Sequence, residues 1–175
     1  MRTTVTRALM LLTTLFALPA AQAADSWNPA ALTAPQAVPV LQITASITPA
    51  IEVGTSDAGT RRYIPITGGT FVGNGIRGEV VPGGADWQLT RSDGATELTA
   101  IYALRTDDGA NIIVNNHGLG VPPAEAGGAR YLMSSPKFFA PADGPYAWLN
   151  QSIFVGTVTP APDMSAVIIR VFKVQ

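Results

Sequence analysis

The sequence predicts an all-β fold: a single antiparallel up-and-down β-barrel of about eight strands, preceded by a cleavable signal peptide. Three observations predict it. Leu41, Ile43, Ala45 and Ile47 alternate with Gln42, Thr44, Ser46 and Thr48, the period of two of a half-buried strand. Turn chemistry recurs at short intervals, in Pro82-Gly83-Gly84, Ser92-Asp93-Gly94, Asp107-Asp108-Gly109 and Ala142-Asp143-Gly144. Asp-Gly and Gly-Gly tolerate the positive φ that tight hairpins require. No stretch carries sustained helical periodicity; the best, around Ala124–Arg130, contains a Gly pair. A closed barrel is preferred to a sandwich because only 13% of the residues are charged, too few to guard open sheet edges.

The elements follow in chain order. Residues 1–23 have the three parts of a secretory signal: Arg2 and Arg7 at the start, the apolar run Ala8–Leu18, and Ala21-Gln22-Ala23 as a small-x-small cleavage site. The run is short for a transmembrane helix, and no Cys follows the cleavage site to take a lipid. The expected protein is therefore exported, periplasmic or secreted, with no stable membrane insertion after signal cleavage. Losing Arg2 and Arg7 leaves it more acidic than the formal net charge of −1 of the whole chain. Residues 24–39 are rich in Pro and Ala and read as an extended lead-in; residues 40–175 read as the barrel domain. After Leu41–Thr48, the expected strands are Arg62–Thr67, Gly69–Val72, Ile76–Val81, Trp87–Arg91, Glu97–Thr106, Asn111–Asn116, Tyr131–Ser134, Ala147–Thr157 and Ala166–Val174.

Composition also excludes functions. A chain with 11 Lys and Arg against 12 Asp and Glu offers no basic surface to displace phosphate counterions, so no nucleic-acid partner is expected. The absence of Cys removes thiolate catalysis, thiolate zinc sites and disulfides. Gly73-Asn74-Gly75-Ile76-Arg77-Gly78 spells a dinucleotide fingerprint, but strands flank it on both sides where a helix must follow; its glycines read as turning a hairpin or kinking a barrel strand. Asp107-Asp108-Gly109 lacks the spaced ligands of a calcium loop. No metal and no cofactor is expected.

Several segments resemble one family. They are Arg62–Phe71, with Ile64-Pro65-Ile66-Thr67-Gly68-Gly69, then Gly75–Gln88, then Leu104–Ala110, and Tyr146–Asn150 followed by Phe154-Val155-Gly156. The family is domain of unknown function 3237, also called uncharacterised protein family 0311. The resemblance spans roughly Leu41 to Val174 and implies a single antiparallel barrel, with little said about activity. The chain departs from the family pattern at Thr99, Ile101 and Met133, and beside Asn116 at Asn115 and His117, where relatives carry charged residues, mostly arginine. If those arginines hold an anionic ligand in relatives, that grip is lost here.

The candidate catalytic residues are Glu79, Asp86 and His117. His117 is the single histidine and a potential general base, though a histidine at a strand end beside Gly is more often a turn residue than a catalyst. Arg77 and Glu79 share one strand face, Asp86 and Trp87 follow the Pro-Gly-Gly turn, and Trp148 and Asn150 share a second face. With Tyr102, Arg105 and Asn116, these form the expected ligand-binding set, converging on one barrel-mouth cavity. The structural alternatives are ion pairing for the charges and core packing for the tryptophans. Three classes of function follow. The first is a binding protein for a small, partly hydrophobic or aromatic molecule. The second is a cofactor-independent isomerase, cyclase or lyase using a pocket carboxylate, and the third an outer-membrane barrel. A carboxylate buried in a cavity beside an aromatic favours the second over the first.

Overall fold

A computed structural model describes residues 32–175. The expected signal peptide, residues 1–23, and residues 24–31 of the lead-in lie outside the described residues. The strands are β1 (Ala37–Ile47), β2 (Ile51–Ser56), β3 (Gly59–Gly73), β4 (Ile76–Thr90), β5 (Thr96–Thr106), β6 (Asn111–Val121), β7 (Tyr131–Phe139), β8 (Ile153–Pro160) and β9 (Ala166–Val174). Each pairs antiparallel with its neighbours in the order β1-β9-β8-β7-β6-β5-β4-β3-β2. The pairing of β1 with β3 closes the ring, giving an eight-stranded barrel from which β2 projects as an appended hairpin strand on β3.

Alternation decides what lies inside. Leu41, Ile43 and Ala45 of β1, Tyr102 and Leu104 of β5, and Ile112 and Val114 of β6 point inward and are buried. The outer face carries Arg77, Glu79, Arg105 and Arg170 together with Val72, Trp87, Ile101 and Ile113, all exposed. A packed apolar interior, with charged residues set among the apolar ones outside, differs from the polar lumen and apolar outer band of an outer-membrane barrel. No described helix is long and apolar enough to cross a membrane.

Two glycine-bearing segments expected to separate strands instead bend them. Gly68-Gly69, both at positive φ, add one residue to β3 where Ser46 pairs Gly68 and Ile47 pairs Ile66. The odd spacing lets Ile66 and Phe71 both face inward. Pro82-Gly83-Gly84 is no turn. Val81 pairs Ala103 and Ala85 pairs Ile101, so four steps on β4 match two on β5. An extra pair of residues preserves the alternation, which a single inserted residue would invert, and Asp86 therefore stays on the inner face. The Gly73–Gly78 motif is the β3–β4 hairpin, with Gly75 at φ 70°.

The expected strand Ala147–Thr157 is also corrected. Ala147–Gln151 forms a short 3-10 helix between β7 and β8. It folds over one end of the barrel and plugs it with Tyr146 and Leu149, both buried, and with Trp148 packed against the core. Phe138 and Phe154 meet edge-to-face at 5.1 Å beneath it, and Trp148 lies 6.0 Å from Phe154. The Asn150 carboxamide fixes the plug by donating to the Ala140 carbonyl and accepting from the Ala140 N–H. Tyr146 adds a hydrogen bond to Asp108. The barrel thus has one packed end and, among the described residues, no such plug at the opposite end.

Candidate functional site

The unplugged end is where β1, β4, β6 and β8 finish and where β3, β5, β7 and β9 begin. Its inward residues are small or aliphatic: Ala45 and Ile47, Ile64 and Ile66, Leu98 and Ala100, Gly118, Leu132, Val158, Val167 and Ile169. They enclose a cavity of about 60 Å³. Small residues at 45, 100 and 118 leave the space that Phe138 and Phe154 fill at the other end.

Four polar side chains break this apolar wall: Asp86, Tyr102, Asn116 and Ser134. Five buried side-chain oxygens among the described residues have no protein partner, and four of them are Asp86 Oδ1, Tyr102 Oη, Asn116 Oδ1 and Ser134 Oγ. The fifth, on Asn115, belongs to the outward-facing row of β6. A buried polar group left unpaired costs about 1–3 kcal/mol. Four on one cavity mark a place built for an occupant that hydrogen-bonds, whether water or a ligand.

Local sequence places each group. Gly84, in the β4 bulge, makes room for Tyr102, since a Cβ there would stand 2.5 Å from Tyr102 Cβ. Gly156 does the same for Ser134, whose Oγ lies 2.7 Å from where a Cβ would be. Asp86 is oriented from behind. Arg62 Nε donates to Gln88 Oε1 at 2.8 Å, and Gln88 Nε2 donates to Asp86 Oδ2 at 2.6 Å. A guanidinium can only donate, so the Gln88 amide has one orientation, and Oδ2 must accept. A proton on this carboxyl therefore sits on Oδ1, the oxygen left without a protein partner.

Electrostatics favours that proton. Burial pushes the Asp86 carboxyl up from its ordinary value, against the opposing pull of the Gln88 hydrogen bond, the Thr99 backbone and the Arg62 charge. Burial also pushes the Tyr102 hydroxyl up, and the nearby Asp86 charge adds to it, so Tyr102 stays a neutral donor. The cavity therefore presents up to four hydroxyl or amide groups, one of them a carboxyl whose proton is held more tightly than usual.

Of the residues singled out from sequence, Asp86, Tyr102 and Asn116 meet in this cavity. The others do not join them. Glu79 pairs with Arg105 at 3.2 Å on the outer face, its side chain 58% exposed. Arg77 pairs with Asp107 at 2.8 Å, also outside. Trp87 is 51% exposed and stacks on Tyr63 with ring centroids 4.8 Å apart. His117 is an exposed outer residue whose Nδ1 lies 3.4 Å from Thr99 Oγ1. Trp148 and Asn150 belong to the plug at the opposite end. The expected convergence of Glu79 and Trp148 on one cavity is thus corrected, because Glu79 faces out and Trp148 faces in at the packed end. Sequence reasoning missed Ser134, Gln88 and Arg62. Their signal was alternation: Gln88 lies two residues from Asp86, and Arg62 two from Ile64.

These features define a closed antiparallel barrel with one plugged end and a polar-tipped apolar cavity in the other. The chain belongs to the family described as "Protein of unknown function (DUF3237)", which matches residues 35–174. It is 36% identical over 150 residues to a UPF0311 protein of Clostridium acetobutylicum, covering 78% of this chain and 92% of that one. The fold is similar to the crystal structure of a conserved protein of unknown function from Rhodopseudomonas palustris. The TM-score is 0.74 at 35% identity, covering 82% of this chain and all of that one (100%). It is also similar to a beta-barrel like protein from Acinetobacter baumannii, with a TM-score of 0.73 at 33% identity over 85% of this chain and 99% of that one.

Proposed function

We propose that the protein binds a small, largely apolar or aromatic molecule bearing an oxygen function in the open-end cavity, and that Asp86 acts on it as a cofactor-independent acid–base group. The observation that carries the reading is the convergence of four unpartnered polar atoms, one a carboxyl oxygen, on an otherwise apolar pocket. Protonated Asp86 Oδ1 gives its proton to one atom of the bound molecule, and the resulting carboxylate takes a proton back from another. The net change is an isomerisation or cyclisation that consumes nothing. Tyr102, Asn116 and Ser134 orient the oxygen function and stabilise charge that develops on it. The N-terminal segment supports a role outside the cytoplasm.

Native mass spectrometry of protein purified from its own host tests the cavity and the export together. The expected spectrum shows a chain beginning at Ala24 with a retained small molecule, lost when Ala100→Phe fills the cavity. A bare chain in both proteins, or an adduct that Ala100→Phe leaves in place, contradicts the cavity reading. A chain beginning at Met1 contradicts export.

A further inference from the structure

The lip of the cavity carries an exposed cation, Arg130. On β6, Asn116, Gly118 and Gly120 follow one another on the inner face, and the last is one step nearer the mouth than the cavity-lining Gly118. Gly120 pairs with Leu132, itself a lining residue. A Cβ at Gly120 would stand 2.7 Å from Arg130 Nη2 and 3.3 Å from Cζ and Nε, so the guanidinium lies over the inner face of this glycine. Arg130 makes no ion pair among the described residues, whereas Asp93 and Glu97 at the same end are held by Arg91. Glu125, in the same loop, does not pair with it. Across the mouth, Arg62 is also inward-facing, with its Nε engaged by Gln88.

We infer that the occupant is a small organic acid, its apolar body in the cavity and its carboxylate held at the mouth by Arg130. This rests on the proposal that the cavity is a ligand site. A guanidinium presents paired donors that match a carboxylate, and an apolar wall behind it lowers the competition from water. The glycine is part of the device. With a side chain at position 120 the guanidinium would be displaced from the lip. The polar groups deeper in the cavity remain free for the oxygen function on which Asp86 acts, so the acid is bound by two ends of different chemistry.

Isothermal titration at pH 7 and low salt tests this with matched probes: hydrocinnamate and octanoate against hydrocinnamyl alcohol and octanol. The wild-type protein should bind each acid about 10-fold or more tighter than its alcohol. Arg130→Gln should bring the acids to the level of the alcohols and leave the alcohols unchanged. Gly120→Ala, at a backbone angle any residue adopts, should weaken the acids in the same sense by moving the guanidinium. Equal binding of acid and alcohol by the wild type, or an Arg130→Gln effect on both alike, overturns this inference and leaves the cavity reading standing. Failure of all four probes to bind overturns both.

Discussion

Asp86→Asn is expected to cut turnover of the retained molecule by about 10²–10⁴-fold while leaving its affinity within a few-fold. The amide keeps the shape and can still accept from Gln88, but it cannot carry a transferable proton. The same variant should be more stable than the wild type at neutral pH. Burial raises the Asp86 pKa in the folded state. The folded protein therefore holds this proton at pH values where the unfolded chain has released it. Stability falls as pH rises from the ordinary carboxylate value through the folded one, and that loss is fully present above the folded pKa. Asn removes the loss, a gain of about 1 kcal/mol or a few degrees in Tm, typical of relieving a functional group held at a cost. Below the ordinary carboxylate value both states are protonated, and the gain should vanish. Thermal melts across pH check this; a variant less stable than wild type at neutral pH would mean that ionised Asp86 is well solvated or paired.

Phe154→Ala is expected to cost about 3–5 kcal/mol, a large part of the 5–15 kcal/mol that holds a typical domain together. Phe154 is 1% exposed and joins Phe138 to the plug residue Trp148. Little around it can collapse into the space, because backbone ladders fix the flanking strands. Phe154→Leu should recover most of the loss. Urea unfolding measures both, and ligand affinity of the folded fraction should be unchanged, since the cavity lies at the other end. A cost under 1 kcal/mol would show that the plug is not what stabilises the packed end.

The two variants separate the ends of the barrel, and the sequence made one end easier to read than the other. Alternation in Leu41–Thr48 and the Asp-Gly turns specified an antiparallel barrel because strand period and hairpin chemistry are local properties. The bulges were not legible as such. Gly68-Gly69 and Pro82-Gly83-Gly84 have the composition of turns, and only pairing with β1 and β5 shows that the strands run through them. The 3-10 plug was hidden for a similar reason, since its apolar residues at 146, 148 and 149 suit a strand as well. In the site, Asp86, Tyr102 and Asn116 stood among the candidates, while Arg77, Glu79, Trp87 and Arg105 stood there wrongly placed. A period of two says which side chains share a face, not which face is the inside. Two glycine bulges, one of one residue and one of two, set that for β3 and β4.

The most direct test is the carboxyl carbon of Asp86, followed by 13C NMR across pH with and without saturating hydrocinnamyl alcohol. The expected midpoint lies above the ordinary carboxylate value and moves further up when the alcohol displaces water from the cavity. An ordinary or lowered midpoint that does not respond to the alcohol would contradict the proposed role of Asp86.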